Sequence, residues 1–240
     1  MKKATEIFSL FLSAVLLFAG CAQTIEVTDV YPKEKIEGSS VFVEKVDGLA
    51  EDFILGMDAS CVPALEASGV KYYNFEGQEQ DVFRTLAENG INYIRVRVWN
   101  DPFDGKGNGY GGGNCTADTA VEIGRRATEY GMKLLVDFHY SDFWADPAKQ
   151  MVPKAWKGKR TTAKVKLLQE YTADCLTRLR DAGVDVGMVQ LGNETNNGMA
   201  GENSRHLAMM VGVLCGAITN APGLGAATEA CSTIFGADAP

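Results

Sequence analysis

Histidine is scarce in this 240-residue chain: there are two, and neither falls in a Cys/His zinc spacing. The six cysteines form no CxxC pair. Positive charge is also short, with 23 Lys+Arg against 31 Asp+Glu and a net charge of −8. No Lys/Arg cluster breaks that balance, which excludes nucleic acid as a partner and suits a neutral ligand better than an anionic polymer. Gly111-Gly112-Gly113 is not followed by Lys-Ser/Thr, so it is no phosphate loop and reads as a flexible turn. What remains is 46% hydrophobic and 22% charged residues with 26 Gly and 7 Pro. That composition excludes disorder, collagen and coiled coil, and the length fits one large domain or two small ones.

The amino terminus sets an expectation about compartment. Lys2 and Lys3 precede an apolar stretch from Ile7 to Phe18, closed by Phe18-Ala19-Gly20-Cys21. The stretch is too short to span a bilayer stably, so residues 1–21 read as a signal peptide of lipoprotein type with Cys21 as the lipidated residue. Lipid chains on Cys21 would tether an exported domain to a membrane at the cell surface or outer membrane. An ordinary secretory signal is the alternative. Cys61, Cys115, Cys175, Cys215 and Cys231 remain, an odd number that leaves at least one thiol free and the connectivity open.

Residues 22–50 are polar and aperiodic and read as a tether, and from residue 51 a βα order begins. Apolar or β-branched runs at 53–58, 91–99, 133–139 and 186–192 predict strands. Helices are predicted near 81–89, 118–130 and 162–182, closed by Gly90, Gly131 and Gly183. Thr119 and Glu122 have capping-box spacing. Alternating strands and helices predict an α/β fold with a parallel sheet, open or closed into a barrel, whose chemistry gathers at the carboxyl ends of the strands.

Those ends carry Asp58; Arg97, Trp99, Asn100 and Asp101; Asp137, His139 and Asp142; and Asn193 with Glu194. A carboxylate just past a buried strand can act as a general acid, and a neighbouring amide can hold a substrate hydroxyl, which singles out Glu194 and Asn193. A helix cap is the plainer explanation of such a pair. Asp137 and His139 share a strand face and can bond each other or a sugar hydroxyl. Arg95 and Arg97 also share a face; Arg97 could orient Glu194 or a nucleophile, while ion pairing accounts equally well for Arg95. Trp99, Trp144 and Trp156 fall in or beside loops, where they either stack on sugar rings or anchor the loops.

Taken together, GMDAS at 56–60, RVRVWND at 95–101, DFHYSDFWAD at 137–146 and LGNE at 191–194 resemble glycoside hydrolase family 53, the arabinogalactan endo-β-1,4-galactanases. The resemblance covers about residues 52–200. It implies a (β/α)8 TIM barrel that cleaves β-1,4-galactan, a neutral side chain of pectin, with retention of configuration and without cofactor or metal. It makes Glu194 the acid/base, sets Asn193 on the 2-hydroxyl, and lines the cleft with Asp58, Arg97, Trp99, His139, Asp142 and Trp144. The nucleophile it implies is a glutamate after the seventh strand. Only four βα units are visible across 51–202, about 38 residues each, so eight would need about 300 and the nucleophile is expected to be absent from this chain. Residues 203–240 hold three charged residues among 38 and show no fifth strand, which points to a divergent tail from a shifted reading frame or a truncation. The other functions in view are a non-catalytic galactan-binding surface lipoprotein and a related barrel glycosidase acting on mannan or cellulose.

Overall fold

The structure, a computed structural model, describes residues 46–50 and 52–203. The signal peptide, Cys21, nearly all of the tether, Cys215, Cys231 and the tail from 204 lie outside the described residues. Four strands, β1 (Gly56–Asp58), β2 (Tyr93–Val98), β3 (Lys133–Phe138) and β4 (Val186–Leu191), form one sheet. Its spatial order is the chain order, and every pairing is parallel. A doubly wound sheet reverses direction after its first strands, whereas a barrel adds each strand beside the last. The described residues therefore build the barrel arrangement over four strands. No helix among them is long and apolar enough to cross a membrane.

β1 is shorter than the expected 53–58. Asn92 takes over the hydrogen bonding of its first half, donating from Nδ2 to Phe53 O and accepting the Leu55 N–H at Oδ1. A helix that the sequence reading left out, α1 (Val62–Ala67), follows at once, with a proline in its first turn where no N–H is needed. The other helices are α2 (Val82–Glu88), α3 (Ala117–Glu129) and α4 (Thr161–Asp181). Asp81 caps α2 by accepting the Phe83 N–H. The capping box of α3 is formed by Thr116 and Thr119, not by Thr119 and Glu122, because Thr116 holds the extended conformation a cap requires. Two short strands, β5 (Gly198–Met199) and β6 (Glu202–Asn203), pair after β4. Lys164 of α4 ties down that hairpin through Glu202 Oε1 at 2.8 Å.

Strand alternation divides the sheet into two chemical faces. Ile94, Val96, Val98, Leu134, Val136 and Phe138 are wholly buried against the helices, where Ala120, Ile123, Ala127, Leu168, Cys175 and Leu179 meet them. The opposite face carries Arg95, Arg97, Asp137, His139 and Gln190, so the polar residues turn toward the barrel interior and rise to the carboxyl-end rim. Register sets them side by side: Asp58 pairs with Arg95, Arg97 with Asp137, and Asp137 with Gln190.

Candidate active site

Arg95 is the hub of this rim. Its guanidinium forms ion pairs with Asp58 on β1 and Asp137 on β3, and its Nη2 is 3.4 Å from Asn193 Oδ1 beyond β4. One side chain thus links the ends of all four strands. Asp137 is fully buried, and an unpaired carboxylate there would be very costly, so the Arg95 charge makes its burial tenable. Burial alone would raise the Asp58 carboxyl, but the Ser60 hydroxyl and amide and the Arg97 and Arg95 charges outweigh it and hold the group below its ordinary value.

His139 is buried beside Asp137. Its Nδ1 accepts the Ala145 N–H at 3.0 Å, which places the ring proton on Nε2. Nε2 faces Asp137 Oδ2 at 3.1 Å, off the line of a hydrogen bond. The Asp–His pairing expected from the strand face is therefore present as a contact.

Arg97 does not reach Glu194. Its Nη2 donates to Gly112 O at 3.1 Å and to Cys61 Sγ at 3.3 Å, and the guanidinium lies 4.3 Å from the centre of the Trp144 ring. The glycine run read as a flexible turn packs as a wall of the site: a methyl group on Gly112 would stand 3.0 Å from the Trp99 ring. Trp99 is fully buried and packs edge-on against His139 and Trp144. It forms the floor of the site and offers no open face. Trp156 is buried against Tyr171. Of the three tryptophans only Trp144, 39% exposed, presents a face to solvent.

Asp142 spends both carboxylate oxygens on backbone, accepting the N–H of Asp101 at 3.1 Å and of Lys154 at 2.7 Å. Burial raises its carboxyl despite those bonds and the nearby Lys154 ammonium. It joins two rim loops and stands apart from the Arg95 network.

Asn193 is buried, its Nδ2 donating to Ala145 O at 2.8 Å and its Oδ1 accepting from Gln190 at 3.2 Å. Glu194 is exposed and holds a left-handed backbone, φ 48 and ψ 50. Tyr140, two residues past β3, does the same at φ 49. Non-glycine residues in that region are strained, and the surroundings must hold them there. Gln150 does so for Glu194: its Nε2 donates to Asn193 O at 2.8 Å and Glu194 O at 3.2 Å. Gln150, Ser60, which accepts the Arg97 N–H, Cys61 and Phe143, whose ring packs on Trp99 and Trp144, are site residues that sequence reasoning missed. The first three act through backbone carbonyls, a buried hydroxyl or a sulfur contact, which no residue spacing announces. Among the described residues no group of three or more His, Cys, Asp or Glu could hold a metal ion.

The sequence profile of Glycosyl hydrolase family 53 matches residues 54–221. The chain belongs to glycosyl hydrolase family 53. The match continues past residue 202 into the charge-poor segment. The endo-beta-1,4-galactanase of Bacillus subtilis (strain 168) is 52% identical over 197 residues, covering 80% of this chain and 46% of that protein. An arabinogalactan endo-beta-1,4-galactanase of Humicola insolens is 42% identical over 144 residues, 60% of this chain and 41% of that one. Among solved structures, the Ignisphaera aggregans GH53 catalytic domain superposes with a TM-score of 0.71 at 40% identity, over 78% of this chain and 52% of that one. The chain spans about half the length of the curated relatives it matches. Its four parallel strands are part of a family 53 TIM barrel.

Proposed function

We propose that this family 53 chain carries the acid/base side of an endo-acting β-1,4-galactan hydrolase. The observation that carries the reading is the Arg95 network: four strand ends are drawn to one rim, and Glu194 stands exposed at its edge. Glu194 protonates the glycosidic oxygen as the bond breaks and later takes a proton from water. Asn193 Nδ2 uses one N–H on Ala145 O, which leaves the other for a substrate 2-hydroxyl. Trp144 supplies the exposed ring for an apolar sugar face, with Arg97 bracing it from behind. Asp58 and His139 line the same rim, Trp99 supports it from beneath, and Asp142 joins two of its loops.

Retention requires a second carboxylate about 5–5.5 Å from the first. The other rim carboxylates are committed: Asp58 and Asp137 to Arg95, Asp101 to the Lys154 ammonium, and Asp142 to two backbone N–H groups. The nucleophile is therefore assigned outside the described residues. Export through residues 1–21 and lipidation at Cys21 complete the proposal, and would deliver the barrel to extracellular polysaccharide.

The test joins residues 54–203 to the carboxyl-terminal half of the Bacillus subtilis relative and measures reducing-end release from polysaccharides. Linear β-1,4-galactan is cleaved, mannan and cellulose are not, and Glu194→Gln lowers galactan turnover by about 10²–10⁴-fold with binding retained. Preference for mannan or cellulose contradicts the substrate assignment. A folded chimera that binds galactan without cleaving it supports the surface-binding alternative instead.

A further inference from the structure

We infer that Cys61 and Cys115 are partners in a disulfide that pins the start of α1 to the glycine wall of the rim. Both are thiols in the structure, and they meet around one guanidinium. Arg97 Nη2 donates to Cys61 Sγ at 3.3 Å and to Gly112 O at 3.1 Å; Cys115 Sγ is 3.8 Å from that same carbonyl oxygen. Cys115 Sγ is also 3.0 Å from Ser60 O, the carbonyl of the residue next to Cys61. A methyl group on Gly113 would stand 3.0 Å from Cys115 Sγ and 3.3 Å from Cys61 Cα, so one sulfur lies within a side chain's reach of the other's backbone. The two residues are 54 positions apart in sequence, and only the fold brings them together.

Cys61 is half-buried and Cys115 fully buried, which sets the order of events. The Cys61 thiolate attacks a small-molecule disulfide such as oxidised glutathione, forming a mixed disulfide and releasing one glutathione thiol. The Cys115 thiolate then attacks the Cys61 sulfur and expels the second glutathione thiol. The cysteine pair loses two electrons and two protons, and the glutathione disulfide gains both. Burial lifts the Cys115 thiol to about 11, so closure is the slow step at neutral pH. The bond would fix the loop whose Gly112 carbonyl holds Arg97 against Trp144. It is independent of the galactan reading and survives or fails separately from it.

The test uses the folded 240-residue chain. It is incubated with oxidised glutathione, its remaining thiols are alkylated in denaturant, and it is digested without reduction for mass spectrometry. A peptide pair joined through Cys61 and Cys115 is expected, lost on treatment with dithiothreitol. The closing step accelerates about tenfold per pH unit between pH 7 and 10. Closure raises Tm by about 5–10 °C over the reduced chain, and Cys61→Ser removes that difference while leaving Cys115 alkylatable. Alkylation of both cysteines in the oxidised wild-type chain, or a bond from either to a different cysteine, overturns the inference.

Discussion

Arg95 shows how one residue can tie the ends of four strands together. Its two carboxylate partners come from β1 and β3, and Asp137 is buried completely. Arg95→Met strands that carboxylate and is expected to lower stability by about 3–5 kcal/mol in urea unfolding. Arg95→Met with Asp137→Asn recovers more than half of the loss, and equal losses would show that the charge is not what matters. The sequence carried this much: Arg95 and Arg97 share a face, and so do Asp137 and His139. It could not say which arginine serves which partner, because that depends on strand register rather than on spacing. Arg97, expected near Glu194, instead braces Trp144, and Arg95 reaches Asn193. A second residue-scale effect concerns Cys175, buried on α4. Desolvation raises its thiol from the ordinary 9.0 to about 11. A raised acid stabilises the fold below its unfolded value and loses that contribution as pH climbs through the folded value. The Cys175 contribution to stability therefore falls by about 2–3 kcal/mol between pH 9 and 11. Cys175→Ala, though weaker throughout, shows less of that decline in denaturation curves collected across the range.

The elements were the most legible part, because their signals are local. Apolar and β-branched runs marked β2, β3 and β4 to within a residue or two, and glycines closed α2, α3 and α4. Failures came where tertiary contacts override local pattern. Asn92 replaces half of the β1 ladder, and six residues of α1 are too few to show a period. Tryptophan burial was equally illegible: a loop position says nothing of whether a ring lies beneath the loop or upon it. Close packing between elements makes its own prediction at Gly124 on α3. A methyl group there would stand 2.6 Å from Val184 and 3.1 Å from Leu134. Helix propensity favours alanine over glycine by up to about 1 kcal/mol, but overpacking costs about 1–3 kcal/mol. Gly124→Ala is thus expected to destabilise the fold in thermal unfolding, and a rise in Tm would mean that α3 can shift freely on the sheet.

Across the whole molecule, the four strands and their helices place one polar face inward and one rim at its carboxyl end. Family membership accounts for the barrel arrangement, and the rim geometry accounts for the roles assigned within it. The central claim concerns Glu194, and it is tested most directly by removing the acid and changing the leaving group. In the completed barrel, Glu194→Ala is compared with the unmodified enzyme on β-1,4-galactan and on a dinitrophenyl β-galactobioside, whose leaving group needs no proton. The predicted result is a loss of about 10²–10⁴-fold on galactan, little loss in the first step on the activated substrate, and recovery of turnover with azide as the glycosyl azide forms. Equal losses on both substrates without azide recovery, or no loss on galactan, would contradict the assignment of Glu194 as the acid/base.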